Sequence, residues 1–287
     1  MPKKSEDFFP YPEGNFFDEG IPKGVISPSG FNTYRRCPRQ YEYAYVLGII
    51  NPPAFTMARG TALHKGAEVV HKHTIETGNL MELSEAQQAV VDCWEEAIEE
   101  VEDWKDKDGN EIQPGSIKDS AIKSFYVYYT QAVPLITPIA AEKPFAMKIG
   151  TVPVRGVIDL IDSVQGEYSL GDNPDAPPPK IEVVSDLKTT TKLWPSQKLE
   201  QEPQLTFYAI VENTRNVRVD FLLDQKKGAK YVASRTTRTN NDKRVLVEDL
   251  EEVVHLIKQG VFPRCDPTSW ACTPKFCGYY DRCRGPK

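Results

Sequence analysis

Cysteine placement constrains this chain more than any other feature. Cys37 stands alone near the start, while Cys272, Cys277 and Cys283 are bunched at the end. A thiolate-bound metal shared by these four would close the chain into one unit, with everything else leaving from and returning to one place. Six cysteines in 287 residues are too few for a disulfide scaffold, and in a reducing compartment a terminal bunch reads as metal-binding rather than bridged. Cys93 and Cys265 are then spare, although Cys265 is close enough to compete with Cys272.

With 40% hydrophobic and 26% charged residues, the chain can bury a proper core as a soluble globular protein. It has no run of about twenty apolar residues, and its start lacks the apolar stretch and cleavage site of a secretory signal, so a cytoplasmic address and no membrane partner are expected. A formal net charge of −6 argues against indiscriminate coating of nucleic acid. Basic strips at Lys226, Lys227 and Lys230, or at Arg235, Arg238 and Arg244, can still track a phosphate backbone or merely be solvated surface.

Residues 1–26, rich in proline, glycine and aromatics, read as an N-terminal arm, and residues 27–287 as a single domain. Ser27 and Pro28 signal a helix start, and Cys37-Pro38 breaks that helix before an aromatic one. Residues 59–130 form a charged helical insert or cap. Residues 138–240 form an α/β core with strands at Ala140–Lys148, Val152–Ile161 and Ile181–Lys188, a helix from about Pro203 to Asn213, and strands at Val217–Leu223 and Lys230–Arg235. A helix at Glu248–Gln259 follows, and residues 261–287 carry the cysteines. The proline-rich stretch from Gly166 to Lys180 should be an exposed loop.

Within this core lies a constellation suited to phosphodiester chemistry. Such hydrolysis needs a divalent metal to polarise phosphate and activate water, and a cation near the developing charge. A D-x-K triplet is expected about once by chance at this length. Three occur. Asp103-Trp-Lys105 sits in a charged, loop-prone stretch and reads as solvated surface, while Asp224-Gln-Lys226 runs into turn chemistry and reads as a strand end. Asp186-Leu-Lys188 instead closes an apolar strand, with Asp159 on the strand before it. Residues two apart on a strand face one side, so Asp186 and Lys188 should project together.

These residues resemble the PD-(D/E)XK nucleases, specifically the RecB-like branch that includes CRISPR-associated adaptation nucleases and AddB-type iron–sulfur exonucleases. The resemblance spans Ser27 to Cys283: a serine-led helix ending in Cys37, Arg59-Gly-Thr-Ala-Leu-His64 with a histidine after an arginine-glycine turn, Gly156-Val-Ile-Asp159, Asp186-Leu-Lys188, and Gln204 to Tyr208, all in the family's order. Ile158 replaces the name-giving proline, and the last cysteines are spaced more widely than C-x-x-C. The resemblance implies a restriction-endonuclease-like α/β fold, in which a central mixed sheet is flanked by helices, with a helical insert and a C-terminal iron–sulfur staple. It implies that His64, Asp159, Asp186 and the Leu187 carbonyl ligate Mg²⁺ or Mn²⁺, that Lys188 orients the attacking water, and that Gln204 and Tyr208, four apart on one helix face, brace the site or touch substrate. Glu142 could serve as an outer carboxylate or form a salt bridge, while His71, His73 and His255 match no motif and read as surface or packing residues.

Cys37, Cys272, Cys277 and Cys283 would be the cofactor ligands. Four thiolates hold [4Fe–4S] or Zn²⁺, and one remote cysteine with three terminal ones favours the cluster. The implied function is a metal-dependent exonuclease acting on DNA that is single-stranded or has free ends, in recombination, repair, CRISPR or phage DNA processing, with recombination, helicase or CRISPR-adaptation partners. A structure-specific or restriction-like endonuclease and a silent DNA-end-binding module are the alternatives.

Overall fold

The computed structural model describes residues 16–105, 109–166, 178–225 and 228–285. In chain order the main elements are α1 (Pro28–Arg36), α2 (Pro38–Tyr41), a π-helical turn (Glu42–Val46), α3 (Phe55–Thr77), α4 (Leu83–Ala97), α5 (Pro114–Gln131), β1 (Pro138–Ile149), β2 (Val152–Gln165), β3 (Lys180–Thr190), α6 (Ser196–Gln201), α7 (Pro203–Val211), β4 (Asn216–Gln225), β5 (Gly228–Thr237), α8 (Asn240–Lys258) and α9 (Tyr280–Arg284). The strands form one mixed sheet in the order β1-β2-β3-β4-β5. The β2–β3 and β4–β5 pairs are antiparallel, and β3 runs parallel to β4, joined through α6 and α7. Among the described residues no helix is long and apolar enough to cross a membrane.

Two compact units are distinguished: one comprises Met1–Asn51, Pro144–Val157 and Thr239–Lys287, the other Pro52–Lys143 and Ile158–Arg238. In the second unit, β3 is buried continuously from Val183 to Leu187 and β4 from Val217 to Leu223, as expected of a parallel pair covered on both faces. The β5 edge strand alternates partly with solvent. Helices α3, α4 and α5 pack a core of Leu63, Val70, Val90, Trp94, Phe125 and Tyr128, continued by Leu160, Leu187 and Leu222 of the sheet.

Gly66 lets the three helices approach. A Cβ there would sit 2.4 Å from Val90 and 2.6 Å from Phe125. The sequence gives no hint that this glycine is a packing residue. We expect Gly66→Ala to destabilise the protein by about 1–3 kcal/mol through overpacking. An unchanged denaturation midpoint would show that α4 and α5 can yield.

In the first unit, the Ser27 side chain caps α1 by accepting from the Gly30 N–H at 3.0 Å, and Cys37 sits extended between α1 and α2. Tyr34, Tyr41 and Phe262 form an aromatic cluster, and the Tyr34 hydroxyl donates to the Val261 carbonyl at 2.7 Å. Farther along, the Tyr279 hydroxyl donates to the Ile49 carbonyl at 2.8 Å. These contacts carry the C-terminal segment back to the α1–α2 break without any covalent link.

Several sequence expectations need correction. Helix α8 begins at Asn240 rather than Glu248, because Thr239 and Asp242 form a capping box: the Asp242 N–H donates to Thr239 at 3.1 Å and the Thr239 N–H donates to Asp242 at 2.7 Å. Arg59-Gly60 is not a turn but lies inside α3. Arg238 belongs to no exposed basic strip: it is buried, donating to Thr206 at 2.7 Å and to the Leu199 carbonyl at 2.9 Å. Of the two readings given for His71, surface or packing, the second holds, since it is buried against the Tyr128 hydroxyl at 2.7 Å. Lys226, Lys227 and most of the proline-rich Gly166–Lys180 stretch and of the N-terminal arm lie outside the described residues.

Candidate metal centre and thiol cavity

Three elements of the second unit converge on one cavity. Helix α3 brings His64, β1 brings Glu142 and β2 brings Asp159. Among the described residues these three form the one group of metal-type donors whose ligating atoms all lie within 4.8 Å of one another. His64 Nδ1 is 3.4 Å from Asp159 Oδ2, which also accepts the Leu187 N–H at 3.0 Å. The antiparallel register, Leu160 opposite Ser185, carries Asp159 and Asp186 toward the same end of the strand pair.

Asp186 and Lys188 project together, as their spacing predicts: Lys188 Nζ lies 2.7 Å from Asp186 Oδ2. Lys188 also donates to Gln204 Oε1 at 3.2 Å, and Gln204 Nε2 donates to the Tyr208 hydroxyl at 2.7 Å. The i, i+4 pair on α7 thus gives the lysine a second partner besides Asp186. Asp186 is 1% exposed, and beyond the Lys188 contact neither of its oxygens has a hydrogen-bond partner. A buried carboxylate left in that condition is costly unless a cation completes it.

Electrostatics sharpen the same point. Burial pushes the Asp186 carboxyl up to about 7, with Lys188 opposing the shift and Asp159 adding to it. Burial likewise raises Glu142 to about 7, with Asp159 and then Glu68 contributing in the same direction. For Lys188, burial disfavours the charge, but Asp186, Asp159 and Glu202 outweigh it and hold the ammonium above its ordinary range. Lys188 is therefore a cation at neutral pH rather than a base. His64, Glu142 and Asp159 together fit a divalent ion, which would relieve like charges that otherwise face one another; Asp186 lies outside that group, paired with Lys188.

The sequence left Glu142 between an outer carboxylate and a salt bridge. In the structure it makes no salt bridge among the described residues and stands with His64 and Asp159, its backbone left-handed at φ 48°. No motif singled it out, since its strand is otherwise ordinary and only the turn back into β2 brings it to Asp159.

A stability consequence follows from the two raised carboxyls. Glu142 and Asp186 ionise near 4.5 and 3.8 in the unfolded chain but near 7 in the fold. The unfolded state therefore loses protons first, and the metal-free protein should lose stability as pH rises from about 4 to about 7. Thermal melts in a chelator should show that fall. Added Mn²⁺ should raise the Tm more at about pH 7.5 than at about pH 5, since it replaces those protons. A chelated Tm that stays level across the window would contradict the shifts.

The second cavity lies in the first unit. It is lined by Cys37, Cys272, Cys277 and Cys283, the four cysteines picked from the sequence, and also by Cys265. All the cysteines are free thiols, and Cys93, on α4, is not among the residues that line this cavity. Burial raises the Cys277 thiol, with Cys37, Cys283 and Cys272 adding to the effect and a backbone hydrogen bond at Tyr279 opposing it.

Comparison with known proteins places the chain. No curated protein matches it. Among solved structures, those similar to it include a candidate exonuclease from Eubacterium rectale, at 11% identity and TM-score 0.46 with 87% of each chain covered, and the protein SSO0001, at 12% identity and TM-score 0.40 with 91% of this chain and 85% of the other covered. Residues 25–284 match the PD-(D/E)XK nuclease superfamily as a whole, a span that takes in both cavities. The chain therefore belongs to the PD-(D/E)XK nuclease superfamily, whose members are hydrolases acting on phosphodiester bonds.

Proposed function

We propose that this protein is a Mg²⁺- or Mn²⁺-dependent exonuclease that degrades DNA from free ends and prefers single strands. The observation that carries the reading is the recessed convergence of His64, Glu142 and Asp159 beside the Asp186–Lys188 pair. His64 and Asp159, with side chains 32% and 18% exposed, would hold the ion together with Asp186 and the Leu187 carbonyl. When bound, such an ion polarises phosphate and lowers the pKa of water. Lys188 orients the attacking water and meets the charge that develops on phosphate, while Gln204 and Tyr208 fix the lysine in place.

A site this recessed favours a flexible single strand over the middle of a stiff duplex. The wider setting, recombination, repair, CRISPR or phage DNA processing in the cytoplasm, rests on the order of the sequence motifs alone.

The thiol cavity is read as the seat of a [4Fe–4S] cluster that ties α1–α2 to the C-terminal segment. One remote cysteine with three terminal ones suits a multi-iron core that ties chain ends together better than a zinc site built of two tight pairs.

The deciding assay incubates the protein with end-labelled linear and covalently closed circular single- and double-stranded DNA in Mg²⁺ or Mn²⁺. Linear single strands should be degraded fastest, duplex ends more slowly, and closed circles barely. Rapid cutting of single-stranded circles would make the enzyme an endonuclease. Binding of ends without cleavage would make it a silent end-binding module.

A further inference from the structure

Two large aromatic side chains stand in the open on the C-terminal segment of the first unit. Trp270 is 66% exposed and Phe276 56% exposed, yet their rings meet edge to face, with centroids 5.6 Å apart at 80°. The backbone that carries them is pinned by short turns. The Cys272 N–H donates to the Ser269 carbonyl at 2.9 Å, and the Thr273 carbonyl accepts from the Phe276 N–H at 3.1 Å and the Cys277 N–H at 2.9 Å. The pair is built into the surface without being drawn into the core.

Charge sets this segment apart as well. Between Arg264 and Gly285 stand four basic residues, Arg264, Lys275, Arg282 and Arg284, against two acidic ones, Asp266 and Asp281, in a chain whose net charge is −6. All four cations are exposed, and none forms a salt bridge among the described residues. Lys275 Nζ lies 5.4 Å from the centroid of the Phe276 ring, which places one cation directly at the pair.

Exposed rings among unneutralised cations match a polyanion whose own flat faces are free to stack. A single strand offers both, phosphates and unpaired bases, whereas a duplex keeps its base faces inside. An apolar protein partner would instead cover these cations without neutralising them, which is costly.

We propose that Trp270 and Phe276 form a stacking platform for the unpaired bases of single-stranded DNA, with Lys275 meeting the phosphates beside them. This rests on the reading of the protein as a DNA exonuclease, and it gives the single-strand preference a source in the unit that does not carry the metal centre.

The test follows the fluorescence anisotropy of a labelled oligothymidylate of about twelve nucleotides, with the full-length protein in chelator so that nothing is cleaved. Trp270→Ala and Phe276→Ala should each weaken binding roughly 5- to 100-fold, whereas Trp270→Phe, which keeps a ring face, should stay within about threefold of wild type. Salt separates the two kinds of contact. Lys275→Ala should flatten the slope of log affinity against log salt by about 0.7, while Trp270→Ala should leave that slope as it is. Binding to a blunt duplex of the same length should be unmoved by either ring substitution.

Ring variants that bind the oligomer within about twofold of wild type would overturn the platform. So would an equal loss on single strand and duplex, or a Trp270→Phe protein as weak as Trp270→Ala, since either marks a merely structural role. Sedimentation that shows a wild-type dimer and a monomeric Trp270→Ala, with DNA binding unmoved, would give the surface to a second copy of the chain. A wild-type protein that binds no oligothymidylate would refute the single-strand exonuclease reading itself, and the platform with it.

Discussion

Replacing Lys188 with alanine should lower metal-dependent DNA hydrolysis by about 10²–10³-fold, the range lost when a preorganised donor to developing transition-state charge is removed. The reason lies in its surroundings. Lys188 sits between the Asp186 carboxylate at 2.7 Å and Gln204 at 3.2 Å, and the carboxylates around it keep it charged. Such a cation, fixed before substrate arrives, need not reorganise as charge builds on phosphate.

The variant should still bind Mn²⁺, because His64, Glu142 and Asp159 are untouched. Calorimetric titration with Mn²⁺ therefore separates loss of the cation from loss of the metal. Lys188→Arg should recover little, since a planar guanidinium cannot occupy the gap between Asp186 and Gln204 as a compact ammonium does. Substitution at the exposed residues Asp103 or Lys105 should leave the rate unchanged. Cleavage by Lys188→Ala within a few-fold of wild type would remove the lysine from the site.

What the sequence made legible was the part built by local spacing. Asp186 and Lys188 are two apart on one strand, and Gln204 and Tyr208 four apart on one helix, so each pair declares its shared face without knowledge of the fold. The strands and most helices of the core follow from their apolar periods for the same reason. The missing parts depend on contacts between distant segments. Glu142 reaches the metal site only because β1 returns beside β2, and Cys265 reaches the thiol cavity only because a turn closes behind it. The α8 boundary was readable in principle, since Thr239 and Asp242 are a capping pair three apart. The mistaken basic strip shows the reverse hazard: Arg235, Arg238 and Arg244 look alike in sequence, and burial alone separates Arg238 from the others.

The largest effect on stability should come from a residue no motif pointed to. Arg218 is 2% exposed on β4 and lies between two buried aspartates, with Nη1 2.5 Å from Asp162 and Nε 3.0 Å from Asp220. Asp162 also accepts the Thr137 N–H at 2.8 Å, and Asp220 accepts the Tyr231 hydroxyl at 2.6 Å and the Ser185 hydroxyl. Burial alone would disfavour the guanidinium, but Asp220 and Asp162 hold it charged.

Arg218→Met would leave two buried carboxylates without a cation, and we expect a loss of about 3–5 kcal/mol. Adding Asp162→Asn and Asp220→Asn to Arg218→Met should recover a substantial part, because the cost lies in the abandoned charges more than in the missing contacts. High salt should change the wild-type stability little, since a pair this deep is poorly screened. Asp220 also lines the cavity of His64 and Asp159, and Ser185 immediately precedes Asp186, so the partly rescued variant should still bind Mn²⁺ more weakly than wild type. Urea denaturation checks the first claim and Mn²⁺ titration the second. An Arg218→Met protein within about 1 kcal/mol of wild type would mean that water reaches these carboxylates and that the network is not the buried support described here.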